Sequence, residues 1–221
     1  MDPMPRPADW PAGYPHEFVQ RRTLRDGREV VIRPILPSDA AELGEAIKTA
    51  DTDTLRRRFL GGPPAVTPEL LTYLTTVDYV RRFALVALDP VSGRGVAIAR
   101  YDRLDGGVAE IAVVVTPAWR RVGLATTLIL LLAKAALDRG IHTFSAIYLA
   151  ENRPIAALVD DAGGRGTQLI EQGIAEFSVA LGNDHASAQT AAKERPDSQH
   201  AGHALGSKRA DRRRKKEQPD A

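Results

Sequence analysis

The chain contains no cysteine. A disulfide framework, a thiolate nucleophile and a thiolate metal site are therefore all excluded. No uncharged apolar run approaches the roughly 20 residues that span a bilayer as a helix. The N-terminal stretch MDPMPRPADWPAG places prolines where an export signal needs an apolar core. A cytoplasmic protein without a membrane segment is the expectation. After Gly182 large apolar residues nearly vanish, with Leu205 the one exception. Such a segment cannot bury enough surface to fold. Charge of one sign is also lacking overall, since the net charge is only +2. That sum hides a basic tail: residues 183–221 hold nine basic and six acidic residues. The pI near 9.0 is partly a property of this tail and does not mark the core as nucleic-acid binding. Lys208, Arg209, Arg212, Arg213, Arg214, Lys215 and Lys216 support at most a weak, salt-sensitive contact with nucleic acid or another polyanion.

Three segments follow. Residues 1–17, with Pro3, Pro5, Pro7, Pro11 and Pro15, read as a flexible arm. Residues 18–182 carry the folded domain, and 183–221 a disordered basic tail. With 43% hydrophobic and 26% charged residues the chain as a whole is nevertheless globular in composition. Inside the domain, Leu24-Arg25-Asp26-Gly27-Arg28 reads as a hairpin turn leading into a strand over Glu29–Arg33. Ser38 or Asp39 can cap a helix running to Ala50, and Asp51 or Asp53 a second one ended by Gly61-Gly62-Pro63-Pro64. Thr67-Pro68-Glu69 opens a third, with proline at the first helical position. Three antiparallel strands are expected over 82–88, 95–103 and 108–115, joined by glycine-containing turns. A long helix over 121–139, a strand over 142–149, a short helix over 152–161 and two last strands over 167–171 and 174–180 complete the pattern. The fold class is α+β: one domain with a mixed, mostly antiparallel sheet flanked by helices on both faces.

The chemistry is concentrated in Ala109-Glu110-Ile111-Ala112-Val113-Val114-Val115-Thr116-Pro117-Ala118-Trp119-Arg120-Arg121-Val122-Gly123-Leu124-Ala125-Thr126. A strand hands over to a helix through a turn holding two arginines and small residues at Gly123 and Ala125. Helix N-termini expose unpaired N–H groups and the positive end of the dipole. Small residues let a phosphate approach the backbone, and a pyrophosphate is the natural ligand of such a place. The Lys-Ser/Thr of a P-loop and the three-glycine dinucleotide fingerprint are both missing. A nucleotide triphosphatase is thereby disfavoured.

Here the sequence resembles the GCN5-related N-acetyltransferase (GNAT) superfamily, whose coenzyme motif is Gln/Arg-x-x-Gly-x-Gly/Ala after a strand. Arg120, Arg121, Val122, Gly123, Leu124 and Ala125 match it position by position. The segments Leu24-Arg25-Asp26-Gly27 and Ala109 to Val115 resemble the catalytic domain of Pat-type bacterial protein lysine acetyltransferases. The resemblance implies a splayed central sheet with acetyl-CoA as co-substrate and no metal. It implies that Val113, Val114 and Val115 pair with the pantetheine arm. It implies that main-chain groups from Arg121 to Thr126 hold the pyrophosphate, that Asn152 touches the coenzyme, and that Glu110 is the general base. Neutral amine is required for attack, and a lysine amine has a pKa near 10.4. A base near the reaction centre is therefore needed. Glu110 is expected on a mostly buried strand, where desolvation would raise its pKa.

Each residue has a plainer reading beside this one. Glu110 could equally be a strand carboxylate with an arginine partner. Arg120 and Arg121 could be helix-start surface arginines, Gly123 and Ala125 sites of close helix packing, and Asn152 a helix cap. Leu124, Leu128, Leu131, Leu132 and Ala135 form a core stripe. His142 reads as structural, and His185, His200 and His203 lack metal-ligand spacing. Val159 stands where many family members carry a tyrosine that protonates the departing thiolate, and Gly163-Gly164 replaces the usual Gly-Phe. The expected function is acetyl transfer to an amine, a protein lysine by analogy with Pat, by a monomer or homodimer. A small-molecule acceptor and a non-catalytic acetyl-CoA sensor are the alternatives.

Overall fold

A computed structural model describes residues 10–60, 64–152, 167–171 and 173–182. Among the described residues eight strands form one mixed sheet. They are β1 (Gln20–Thr23), β2 (Glu29–Pro34), β3 (Arg82–Leu88), β4 (Gly95–Arg103), β5 (Val108–Val115), β6 (Thr143–Leu149), β7 (Thr167–Glu171) and β8 (Ile174–Ala180). Their order across the sheet is β1-β2-β3-β4-β5-β6-β8-β7. Every neighbouring pair is antiparallel except β5 with β6, which is parallel. The α+β class and the three central antiparallel strands agree with the expectation from sequence.

Among the described residues four helices flank the sheet: α1 (Ala40–Thr49), α2 (Thr52–Phe59), α3 (Pro68–Thr75) and α4 (Leu124–Leu137). Strand alternation decides which face each buries. Phe83, Leu85, Ala97, Ala99, Tyr101 and Ala109 point to the α4 face and join Leu124, Leu128 and Leu132 in the main core. Val31, Ala84, Val86 and Leu88 point the other way, against Leu43 and Val77. The helix starts follow local chemistry. Asp51 accepts a hydrogen bond from the Thr54 amide at 2.8 Å, and Thr67 accepts from that of Leu70 at 3.2 Å. Asp39 does not cap α1. Its carboxylate grips the buried Arg33 guanidinium at 2.7 and 2.8 Å and accepts from the Leu36 amide.

Two expectations need correction. The proposed arm over 1–17 packs against the core in its second part. Tyr14 is 6% exposed, and its hydroxyl donates to the Pro34 carbonyl at 3.1 Å. Trp10 stacks on Tyr14, and Tyr14 meets Tyr79 edge-on. Aromatic rings between the prolines supply the burial that proline content alone conceals. The long helix also starts later than 121. Arg121 and Gly123 both have positive φ, so the regular helix opens at Leu124. The short helix expected over 152–161 and the tail over 183–221 lie outside the described residues.

Leu128 is fully buried between α4 and the sheet. Leu128→Ala is expected to lower unfolding free energy by about 2–5 kcal/mol, read as a shifted urea midpoint with an unchanged slope.

Candidate active site

The central sheet forks beside β5. One edge of this strand pairs with β4 along its whole length, from Ala109 to Val115. Its other edge pairs with β6 only at Val108, Glu110 and the residue between, opposite Thr143–Ser145. Beyond that point β6 follows β8, while β5 follows β4. Among the described residues, the edge from Ile111 to Val115 has no ladder partner. Unpaired strand edges can accept an extended ligand as an added strand. Val113, Val114 and Val115 all lie on this open edge, half-buried.

A tight turn follows. Pro117–Trp119 form one turn of 3-10 helix, then Arg121 (φ 64°) and Gly123 (φ 87°) reverse the backbone into α4. The backbone bond from the Thr127 amide to the Gly123 carbonyl, 3.0 Å, opens the helical ladder. The amides of Leu124, Ala125 and Thr126 therefore precede it and face outward at the positive end of a 14-residue helix. The turn is held from below by the β1–β2 hairpin. The Arg25 amide donates to the Val122 carbonyl at 3.3 Å, and Arg28 donates to the Ala118 carbonyl at 3.0 Å. The Arg28 guanidinium also lies 4.0 Å above the Trp119 ring. Gly123 is needed because its φ of 87° is left-handed, a backbone conformation that side chains rarely adopt. Such a cradle of free amides fits a pyrophosphate.

Helix α2 lies across the fork and holds residues on both sides of it. Arg120 donates to the Val115 carbonyl at 3.0 Å and to Thr54 Oγ1 at 2.7 Å. Asn152, 6% exposed, accepts from Arg57 at 3.1 Å. Arg56 pairs with Glu151 at 2.5 Å. Thr54 is itself fixed by Asp51, which accepts from its hydroxyl at 2.5 Å. These two hydrogen bonds from Thr54 hold the Asp51 carboxyl below its ordinary range. Thus Arg120 and Asn152 are brought to one opening, yet neither projects freely into it. Val159 and Gly163-Gly164 lie outside the described residues.

Glu110 departs from expectation. It is exposed, so the burial expected to act on its carboxyl is absent. The reason is the strand period: Ala109, Ile111, Val113 and Val115 face the α4 core, and Glu110 therefore faces away. It occupies the last residue of the β5–β6 ladder, at the fork itself. No side chain among the described residues hydrogen-bonds with it, but the Arg58 guanidinium acts on it through its field, in keeping with the plainer reading of a carboxylate near an arginine. Its ladder partner on β4 is Asp102, which is bound by Arg100 at 3.0 and 3.2 Å. Arg58, from α2, comes into the field of Arg100, Asp102, Glu110 and Tyr73. Burial first, and then Arg100, lowers the Arg58 pKa. Thr54, Arg57, Arg58 and Arg100 were not singled out from sequence. The alternation of Arg100 and Asp102 with buried Ala99 and Tyr101 is the signal that could have found two residues of this face. Tyr148 is buried with Ala175 and Phe177. No cluster of metal-ligating side chains exists among the described residues, nor any helix long and apolar enough to cross a membrane.

Comparison with known proteins identifies the family. The model of the Acetyltransferase (GNAT) family matches residues 55–160. The chain is 32% identical over 139 residues to Acetyltransferase PA5475 of Pseudomonas aeruginosa, covering 62% of this chain and 75% of that protein. The chain belongs to the acetyltransferase (GNAT) family. It is an acyltransferase, an acetyl-CoA-dependent N-acetyltransferase. Acetyltransferase Pat of Mycolicibacterium smegmatis is 30% identical over 142 residues, 63% of this chain but only 42% of that protein. Among solved structures, the GNAT domain of S. lividans PAT superposes with a TM-score of 0.69 at 30% identity, covering 76% of this chain and 99% of that one.

The depressed Asp51 carboxyl gives a pH test of the α2 anchor. A group of this kind stabilises the fold above its unfolded pKa, near 3.9, and that contribution disappears as pH falls through the folded value. Asp51→Ala should therefore unfold at lower urea than the unmodified chain at pH 7. The gap between the two should close as the solution is acidified below about pH 4.

Proposed function

We propose that the protein transfers acetyl groups directly from acetyl-CoA to a lysine amine of a protein, with Glu110 as general base. The observation that carries this reading is the place of Glu110, at the last paired residue before the sheet opens. A donor whose pantetheine arm pairs with Val113–Val115 and whose pyrophosphate rests on the amides from Arg121 to Thr126 would present its thioester near this fork. Arg120 adds positive charge at the mouth, and Asn152 borders the pantetheine side.

The Glu110 carboxylate is open to solvent and makes no side-chain hydrogen bond among the described residues, so it can accept a proton from the incoming ammonium, directly or through one water. The neutral amine then attacks the acetyl carbonyl. The C–N bond forms, the C–S bond breaks, the surplus proton on nitrogen passes to solvent, and coenzyme A leaves as a thiolate that takes a proton from solvent. Backbone N–H groups on the open edge of β5 can polarise the thioester oxygen as charge develops. Holding amine and thioester together supplies much of the acceleration, because the thioester is already reactive. The protein-lysine assignment is supported by likeness to Pat-type enzymes in the hairpin turn and in the Glu110 strand.

Two variants separate donor binding from proton removal. Glu110→Gln should lower kcat by about 10²–10⁴-fold, with acetyl-CoA affinity by calorimetry nearly unchanged. A loss of less than about threefold would exclude Glu110 as the base. Gly123→Asp should instead abolish the heat of acetyl-CoA binding, because a side chain at φ 87° strains the turn that presents the amides and adds a negative charge beside them. A screen of purified proteins with labelled acetyl-CoA, read by mass spectrometry, identifies the acceptor as a lysine side chain or a small amine.

A further inference from the structure

The hairpin turn Leu24-Arg25-Asp26-Gly27 is one of two segments that resemble Pat-type enzymes, yet the reaction above uses none of its side chains. The turn is closed by its own main chain. The Leu24 amide donates to the Arg28 carbonyl at 2.8 Å, and the Gly27 amide donates to the Leu24 carbonyl at 3.0 Å. The Asp26 carboxylate is taken by Arg28, accepting from its amide at 3.2 Å and from its Nε at 2.6 Å. Arg25 is left over. Its amide bond to the Val122 carbonyl pins its backbone beside the residue that precedes Gly123. Its stem crosses Gly123, with Cγ, Cδ and Nε lying 3.7, 3.6 and 3.4 Å from the point a β-carbon would occupy there. The side chain is exposed and makes no hydrogen bond or ion pair among the described residues. Charge around it is one-sided. The first turn of α4 carries no acidic residue, and Arg120 and Arg121 stand in the same turn. Arg120 gives its donors to the Val115 carbonyl and to Thr54. A helix N-terminus disfavours a cation and favours an anion. The hairpin thus holds a guanidinium against a helix end that repels it, and a shared anion turns that repulsion into attraction to both.

From this arrangement we infer that Arg25 is a diphosphate-binding residue, a guanidinium that the β1–β2 hairpin contributes to the amide cradle of α4. The inference rests on the transferase reading above and adds a side chain to a donor site otherwise built from main-chain groups. Arg25 then has two separable duties. Its amide fastens the turn through Val122, and its side chain meets the coenzyme. Guanidinium is suited to the second duty because its planar fork of donors matches two phosphate oxygens at once, which an ammonium does not. Residues about a hundred positions apart in the chain would share one diphosphate, so donor binding also ties the hairpin to the start of α4.

The test is calorimetry on the full chain with acetyl-CoA and with acetyl-dephospho-CoA, which keeps the diphosphate and lacks the ribose 3′-phosphate. Arg25→Gln should raise the Kd of both donors by roughly tenfold or more, the effect of one charge-assisted hydrogen bond. Arg25→Lys should recover part of the loss, because it restores the charge without the fork. Arg21→Gln, an exposed arginine on the same hairpin, should leave both Kd values unchanged. The unfolding midpoint of Arg25→Gln without donor should equal that of the unmodified chain, since the amide that holds Val122 is kept. A change in Kd below about twofold would overturn the inference. An equal loss from Arg21→Gln would do the same, by showing only the general charge of the hairpin, as would a lowered midpoint without donor, which would make Arg25 a residue of the fold. A loss seen with acetyl-CoA and absent with acetyl-dephospho-CoA would move Arg25 to the 3′-phosphate and sink the diphosphate assignment. In each of these cases the unmodified chain still binds its donor and the transferase reading stands. No heat from the unmodified chain with either donor would remove that reading, and this inference with it.

Discussion

The whole site depends on one interruption of backbone pairing. A strand buried inside a sheet must place its N–H and C=O groups with neighbours on both sides. β5 does so only as far as Glu110, after which its partner strand turns away to β8. The open edge is kept from collapsing by what lies around it. The main core grips Ile111, Val113 and Val115 from the α4 side. β4 holds the opposite edge in unbroken register. A gap of this kind is stable because the surroundings determine the strand position, and the gap leaves polar groups available to a ligand of extended shape.

The turn and α2 then finish the work from two directions. The β1–β2 hairpin is far from this region in sequence, yet Arg25 and Arg28 fasten the turn that precedes α4. From the other side Thr54, Arg56 and Arg57 bind residues on either bank of the fork. Local sequence sets each part, and long-range contacts bring the parts to one place.

Much of this was legible in the sequence. Period-two alternation and glycine turns delimited the strands 82–88, 95–103 and 108–115, and Thr67-Pro68 announced α3 because proline suits the first helical turn. The strand-to-helix motif pointed to Gly123 and Ala125 through backbone chemistry alone. Other features were hidden for physical reasons. Glu110 was expected buried because its neighbours are apolar, but apolar neighbours at alternate positions place it on the opposite face. The helix start was read three residues early because Arg121 shows no sign of a left-handed backbone until the turn is seen in space. The docking of Tyr14 and the bonds from α2 are contacts between distant segments, on which a linear pattern is silent.

The two tryptophans of the chain lie in different settings. Trp10 stacks between Tyr14 and His16 at the edge of the main core, whereas Trp119 lies beneath the Arg28 guanidinium in the turn that precedes α4. The molecule thereby carries two built-in fluorophores with separate duties. Emission from one follows the integrity of the hydrophobic interior. Emission from the other, quenched or released as its cationic cover shifts, follows the turn that opens α4 without any added label.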